Sequence, residues 1–391
     1  MLAQTSPRAA AAPVDADRRD SRFRLAAGGL MLAATLLTFF GISWDVEWHD
    51  KVGPDSFWTA PHLALYSGTA LAGLICLGAV LLTTLRFRRG DPGVTPGNTR
   101  AVLKLFRAPV GFLLGGLGAA AFLLYGGFDL YWHSIFGFDV TLASPPHVGL
   151  LLSVMASGFG GIVVFAAEAN RARRRDGGEA GWLQGGGVAV SIALWMGLML
   201  FFLIALFEID FGPFADYAVT GAVFYPLALL LAASVVRRPG IATLVGVSYT
   251  LLRLLAWFAV PAVTSIQVGA EGLAFRDFSS QLPSAASFMP GGLIVAGLLV
   301  DGLLYVARSR RLSVTWSVLA TALIAGTVNF WLFNPLRLLA GDPSVLPERR
   351  ESLLRFIEAS ATPSLLLTLA LAPLCGWLGW RLGAMLRHTE G

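Results

Sequence analysis

The chain contains five histidines, and four of them belong to two similar stretches of sequence. In each stretch an aspartate is followed three residues later by a tryptophan and four residues later by a histidine, and a second histidine follows a proline further along. Imidazole and carboxylate groups are the ligands that transition metals use in proteins, and their recurrence in one order predicts a metal site. The predicted ligands are Asp45, His49, His62, Asp129, His133 and His147.

The spacing of these residues predicts a helical hairpin in each stretch. Asp45 and His49 are four residues apart and would share one face of a helix. Gly53-Pro54 would end that helix, and His62 follows Pro61 at the start of the next one, where proline is tolerated. The second stretch has its breakers in equivalent places, Gly137, Pro145 and Pro146. Each hairpin would bring one carboxylate and two imidazoles to one end of a helix pair.

Two further aspartates, Asp55 and Asp139, follow the predicted helix ends. They could be ligands themselves or acceptors that orient an imidazole N–H, and we favour the second role. Trp48 and Trp132 precede the first histidines and are expected in the same surrounding layer. A Trp-His pair at a helix end is also typical of an interfacial aromatic belt. An aromatic belt residue does not need a neighbouring aspartate, this spacing or a later histidine. The repeat of all three features therefore favours metal binding.

The composition is that of a membrane protein. Of 391 residues, 55% are hydrophobic and 14% are charged, and the mean hydropathy is +0.68, so we predict an all-α polytopic transmembrane helical bundle. The arginines behind the net charge of +5 cluster in short loops, which indicates topology and not nucleic-acid binding. Cys76 and Cys375 lie in apolar runs, which argues against a disulfide framework. No nucleotide-binding loop, catalytic triad or haem-attachment motif is present in the sequence.

Ten apolar stretches reach the roughly 20 residues that cross a bilayer. They cover about 24–44, 61–85, 106–130, 146–168, 183–207, 217–236, 241–263, 287–307, 313–334 and 361–386. An arginine-rich loop follows each of the spans two, four, six and eight, so the positive-inside rule places both termini in the cytoplasm. The expected location is a bacterial inner membrane, with the histidine motifs on the periplasmic side.

The chain divides into three regions. We predict a disordered cytoplasmic tail over residues 1–22 and a four-helix half that carries both motifs over residues 23–170. Residues 171–391 would form a six-helix half of unassigned role. Within or beside the later spans, the ionisable residues Glu208, Arg253 and Asp301 could line a pathway, since intramembrane charge is costly. The simpler interpretation is that Arg253 and Asp301 pair with each other or snorkel. Glycine runs at 115–116 and 158–161 predict close helix packing.

The first stretch resembles a known copper motif. The order Asp45-x3-His49-x12-His62, with Trp48, Asp55, Phe57 and Pro61 between, is similar to that of the C subunit of the particulate methane monooxygenase and ammonia monooxygenase family. Asp129 and His133 look like that family's Asn-x3-His pair, with Asp in place of Asn. The resemblance implies one copper on the first three ligands and a second on Asp129 and His133, sharing His62. It covers residues 40–70 and 125–150; His147, which completes the second stretch, is outside the family's pattern.

Three functions fit this sequence. The leading one is a membrane copper oxidoreductase subunit, whose mono- or dicopper centre on His49, His62 and His133 uses dioxygen to oxidise a small apolar substrate. Copper is favoured over zinc, because it forms the tighter complexes. The expected partners are the lipid bilayer, other membrane subunits and further copies of the chain. The alternatives are a metal-ion or proton transporter or channel, and a non-catalytic copper-handling assembly factor.

Overall fold

The computed structural model describes residues 7–53, 56–137, 143–177, 181–207, 216–277, 283–284, 292–332 and 347–388. These residues form ten helices and one short two-stranded sheet. The helices are α1 Pro7–Lys51, α2 Ala60–Arg88, α3 Val110–Phe136, α4 Pro145–Asp176, α5 Trp182–Phe207, α6 Asp216–Val236, α7 Ile241–Glu271, α8 Leu293–Ser309, α9 Val314–Leu332 and α10 Pro347–Leu386. Strands β1 Arg100–Val102 and β2 Phe106–Ala108 pair antiparallel in the arginine-rich loop between α2 and α3.

The predicted all-α bundle is confirmed. Each of the ten predicted spans overlaps one helix, and seven helices are long and apolar enough to cross a membrane: α1 to α5, α7 and α10. Helices α6 and α9 contribute shorter apolar segments, Gly221–Val236 and Val314–Val328. These lengths and compositions make the chain a polytopic membrane protein.

Helix α1 extends into the segment for which the sequence predicts a disordered tail. It begins at Pro7, and Asp20, Ser21 and Arg24 are buried. Asp20 pairs with Arg24, with Arg86 of α2 and with Arg171 of α4, each at 2.8 Å. The composition of this segment is polar, but its charged side chains pair with residues on other helices. The helix is therefore stabilised by tertiary contacts, which the sequence of the segment alone does not reveal.

The motif-bearing half consists of two packed hairpins. Helix α1 packs against α2 and α3 against α4, and α2 and α3 join the two pairs. The two halves meet where α5 packs against α4 and α1, and where α7 packs against α1. The remaining helices pack mainly around α6 and α10. The bundle therefore holds both hairpins side by side, with their connecting loops at the same end.

Glycines allow the two helices of each hairpin to approach closely. A Cβ at Gly68 of α2 would lie 2.4 Å from the backbone nitrogen of Thr38 in α1. A Cβ at Gly160 of α4 would lie 2.6 Å from the backbone nitrogen of Gly115 in α3. Real Cβ atoms do not approach backbone this closely, so the predicted role of the 115–116 and 158–161 runs in helix packing is confirmed.

Candidate metal sites

The first hairpin brings Asp45, His49 and His62 together. Asp45 and His49 lie one turn apart near the end of α1, and His62 is the third residue of α2. The Nε2 atom of His49 lies 3.6 Å from Oδ1 of Asp45, and Nε2 of His62 lies 3.1 Å from the same oxygen. Each of the three residues offers one ligand atom, and these three atoms lie within 4.8 Å of one another. They are close enough to bind a single metal ion.

The second hairpin repeats this arrangement with Asp129, His133 and His147. The Nε2 atoms of His133 and His147 both lie 3.3 Å from Oδ1 of Asp129. His147 is the third residue of α4, as His62 is of α2. The second group is the more enclosed of the two, since the side chain of His133 is 11% exposed and that of His49 is 40% exposed. The sequence repeat is thus also a repeat in space.

The ligands form two groups and not one shared centre. Among the described residues, the two groupings of His, Cys, Asp and Glu able to hold an ion each come from a single hairpin. The expectation of one centre on His49, His62 and His133, and the sharing of His62, are therefore wrong. The reason is the loop length: each connecting loop returns the chain directly into an antiparallel helix, so the second histidine meets the aspartate of its own hairpin.

The orientation of the imidazole rings indicates a cation between the ligands. Nδ1 of His62 lies 3.1 Å from the carbonyl oxygen of Ser56, and Nδ1 of His133 lies 2.9 Å from that of Gly137. A carbonyl oxygen only accepts, so Nδ1 carries the proton in both rings. In a neutral ring Nε2 then presents a lone pair to an aspartate oxygen. Two acceptors in contact repel each other unless a metal ion or an additional proton lies between them.

The distances between ligand atoms suit a metal ion. Bonds of about 2.1 Å at angles of about 90–120° hold neighbouring ligand atoms roughly 3.0–3.6 Å apart. The four N–O distances run from 3.1 to 3.6 Å. Charge-assisted hydrogen bonds are shorter, about 2.7–2.9 Å. A histidine that donates Nδ1–H to a backbone carbonyl is also the usual arrangement at metal sites.

The helix ends that place the second histidines are fixed by local sequence. Proline occupies the first or second position of both α2 and α4, where its missing N–H leaves no helix bond unmade. At α4 the Ser144 hydroxyl caps the helix by accepting from the backbone N–H of His147. Gly137, with φ of 79°, ends α3 and presents the carbonyl that holds His133. The predicted breakers therefore also orient the ligands.

The aromatic residues near the sites have different surroundings. Trp48 is 2% exposed and belongs to the core, whereas Trp132 lies between Phe128 and Phe136 on one face of α3. Tyr66 stacks on the His62 ring at 5.7 Å between ring centroids, a contact that the sequence interpretation missed. Its position four residues after His62 was the available signal. Asp55 and Asp139 lie outside the described residues.

The segment after α7 docks on α1 beside the first site. The backbone N–H of Arg276 donates to the carbonyl of Lys51 at 2.8 Å, and the backbone N–H of Ser284 donates to Glu47 at 2.7 Å. The Ser284 hydroxyl also donates to Asp50 at 2.7 Å. Glu47, which is 4% exposed, was not a predicted site residue. These contacts connect the six-helix half to the turn of α1 that carries His49.

Arg253 and Asp301, the two described residues of the suggested pathway, do not come together. Asp301 of α8 accepts hydrogen bonds from the backbone N–H of Thr243 at 2.9 Å and from its hydroxyl at 2.7 Å, and so caps the start of α7. Arg253 is buried ten residues further along α7, about 15 Å away along the axis. The prediction that Arg253 pairs with Asp301 is therefore wrong, because the carboxylate is held at the helix end. Glu208 lies outside the described residues.

Comparisons with protein families, with characterised proteins and with solved structures find no match to this chain. The two groups, each of one aspartate and two histidines, are therefore interpreted from their own geometry.

Proposed function

We propose that this membrane protein binds one transition-metal ion at each of the two Asp-His-His sites, and that the ion is copper. The observation that carries the proposal is geometric: Nδ1 of His62 and of His133 faces a backbone carbonyl, while Nε2 of each ring faces an aspartate oxygen. Both hairpins place one aspartate oxygen against two Nε2 atoms at the same helix ends, which makes a chance contact a poor explanation.

The choice of copper is supported by the ligands and by the resemblance. Two imidazoles and one carboxylate suit copper or zinc, and copper forms the tighter complex with such a set. The order of residues from Asp45 to His62 is similar to that of the copper-binding C subunit of the membrane monooxygenases. Zinc is the competing ion for this set of ligands.

The number of ligands favours a site that reacts over a purely structural one. Each group supplies three protein ligand atoms, and structural sites are usually closed by four. An open position can accept dioxygen or another small molecule. When bound, copper supplies one-electron redox chemistry at this position. We therefore propose that the chain belongs to an oxidoreductase, in which a two-electron donor, two protons and dioxygen convert a C–H bond to C–OH and release water.

In this function the protein positions ligands and limits water. The carbonyls of Ser56 and Gly137 hold two of the imidazoles with Nε2 toward the centre. The Tyr66 ring covers one face of His62, and Asp129 is 5% exposed. The second site is the better shielded of the two, because the His133 side chain is 11% exposed and the His49 side chain is 40% exposed. A dry site strengthens the attraction between the carboxylate and a bound cation.

Metal content of the purified full-length protein tests the proposal. After exposure to equal copper and zinc, the wild type should hold two copper ions per chain. His62→Ala and His147→Ala should each hold one, and the double variant none, because each removes a ligand from one hairpin. His388→Ala, in the C-terminal segment, is the matched control and should keep both ions.

Two results would count against this proposal. Retention of two ions by the double variant would show that copper binds elsewhere, and two zinc ions in the wild type would exclude copper as the preferred metal. The oxidase activity is tested separately, by dioxygen consumption with a chemical reductant and a small hydrocarbon. Two bound copper ions without any consumption would leave a copper-handling factor in place of an enzyme.

A further inference from the structure

A second candidate site lies at the opposite end of the motif-bearing half. A groove of about 580 Å³ runs between α1 and α5, with Phe165 of α4 beside it. Its lining residue nearest to the metal sites on α1 is Leu32, thirteen residues before Asp45 and about 20 Å away along the helix. The groove is therefore separate from the two candidate metal sites.

The groove is apolar and extends along α1. On α1 it is lined from Arg22 through Leu25 and Gly29 to Leu32, residues three or four apart that share one face. Ten residues of helix correspond to about 15 Å of groove. Glycines form its floor: a Cβ added at Gly29 or at Gly186 of α5 would meet no atom within 4 Å. This shape fits an extended hydrocarbon chain that lies parallel to the helices.

The mouth of the groove is positively charged. Arg22 is exposed at the α1 side, and no residue in the described part of the chain forms an ion pair with it. At the α5 side, the Arg238 guanidinium lies 3.9 Å from the ring centroid of Trp182. Trp182 is 64% exposed at the start of α5, as expected for a tryptophan at a membrane interface. The groove is therefore lined by one arginine, Arg22, and by a tryptophan whose ring carries a second, Arg238.

We propose that this groove binds one anionic phospholipid. An acyl chain occupies the space over Gly29 and Gly186, and the phosphate lies between Arg22 and Arg238. Basic pockets between transmembrane helices bind anionic headgroups in this way, and the charge of the mouth selects them over zwitterionic ones. A free phosphate would not use the apolar length of the groove. The proposal is independent of the metal function.

Native mass spectrometry of the delipidated full-length protein with equal phosphatidylglycerol and phosphatidylcholine tests the site. The wild type should retain one phosphatidylglycerol. Arg22→Gln with Arg238→Gln should reduce the preference for phosphatidylglycerol roughly 30-fold, since each surface arginine contributes about a fivefold factor. Gly29→Leu with Gly186→Leu should remove the retained lipid of either type, because leucine side chains fill the groove.

Matched variants identify the outcome that overturns the proposal. Arg310→Gln removes one charge from an exposed arginine, and Gly78→Leu fills an open position on α2. Both should retain phosphatidylglycerol as the wild type does. Equal retention by the groove variants and these controls would exclude the site. If Arg310→Gln lost as much of the preference for phosphatidylglycerol, the lipid would be attracted to basic surface in general and not to this groove. An unchanged helical circular dichroism spectrum would show that each variant is folded.

Discussion

At the scale of single residues, the two aspartates determine what the sites can bind. Oδ1 of Asp45 and of Asp129 each faces two Nε2 atoms, and Nδ1 of one histidine in each group is committed to a carbonyl. The negative charge of the carboxylate attracts a bound metal cation, and a neutral amide of almost the same size removes that attraction.

We therefore expect Asp45→Asn to weaken copper binding at the first site by roughly 100-fold or more, since even residues that only orient a ligand contribute about 10–100-fold. Competition with a copper chelator measures the affinity, and a cupric electron paramagnetic resonance signal counts the occupied sites. Asp50→Asn is the control, because Asp50 is next to His49 but contacts Ser284 and Lys51. Equal affinity in the two variants would mean that Asp45 is not a ligand.

At the scale of helices, the geometry of each site depends on how closely the two helices of a hairpin pack. A site that spans two helices changes whenever the distance between them changes. The helices α1 and α2 meet at Gly68, and α3 and α4 meet at Gly118, where an added Cβ would lie 2.4 Å from a backbone nitrogen. The two glycines therefore control the two metal sites separately.

Gly68→Ala should lower copper affinity at the first site only, and Gly118→Ala at the second only. Each should reduce stability by about 1–3 kcal/mol, the usual effect of overpacking. Gly78→Ala is the control; its Cβ meets nothing within 4 Å, and alanine favours the helix by about 1 kcal/mol. Thermal unfolding and copper titration measure both quantities. Loss of both sites in one variant would show that the hairpins are not independent.

At the scale of the whole molecule, a buried charge network holds the motif-bearing half together at the end opposite the sites. Asp20 of α1 contacts arginines on α1, α2 and α4, and Glu168 of α4 accepts from Ser21 at 2.5 Å. Asp20 and Glu168 are completely buried. A buried charge that loses its partner is strongly unfavourable, so the network acts as a single unit.

Asp20→Asn should reduce the free energy of unfolding by about 3–5 kcal/mol, because three arginines lose one buried counter-charge. Glu351→Gln is the control, since its pair with Arg355 is largely exposed and contributes little. Denaturation in detergent, followed by helical circular dichroism, measures the difference. Similar unfolding of the two variants would mean that water or another group replaces Asp20.

The sequence by itself determined the fold class, the positions of the helices and the candidate ligands of the two sites. The length of an apolar stretch identifies a membrane span without information from the rest of the chain. On a helix, the Asp-x3-His spacing places the two side chains next to each other by local geometry. The role of the glycine runs was likewise predictable, because small residues at regular positions have one common use in packed membrane helices.

Only the tertiary structure decided how these parts combine. It showed that His147 and not His62 completes the group around Asp129, that Asp301 caps α7, and that Asp20 orders the start of α1. Each of these contacts joins residues on different helices. Local periodicity specifies which residues share a face of one helix, but the neighbour that the face meets is set by packing across the bundle.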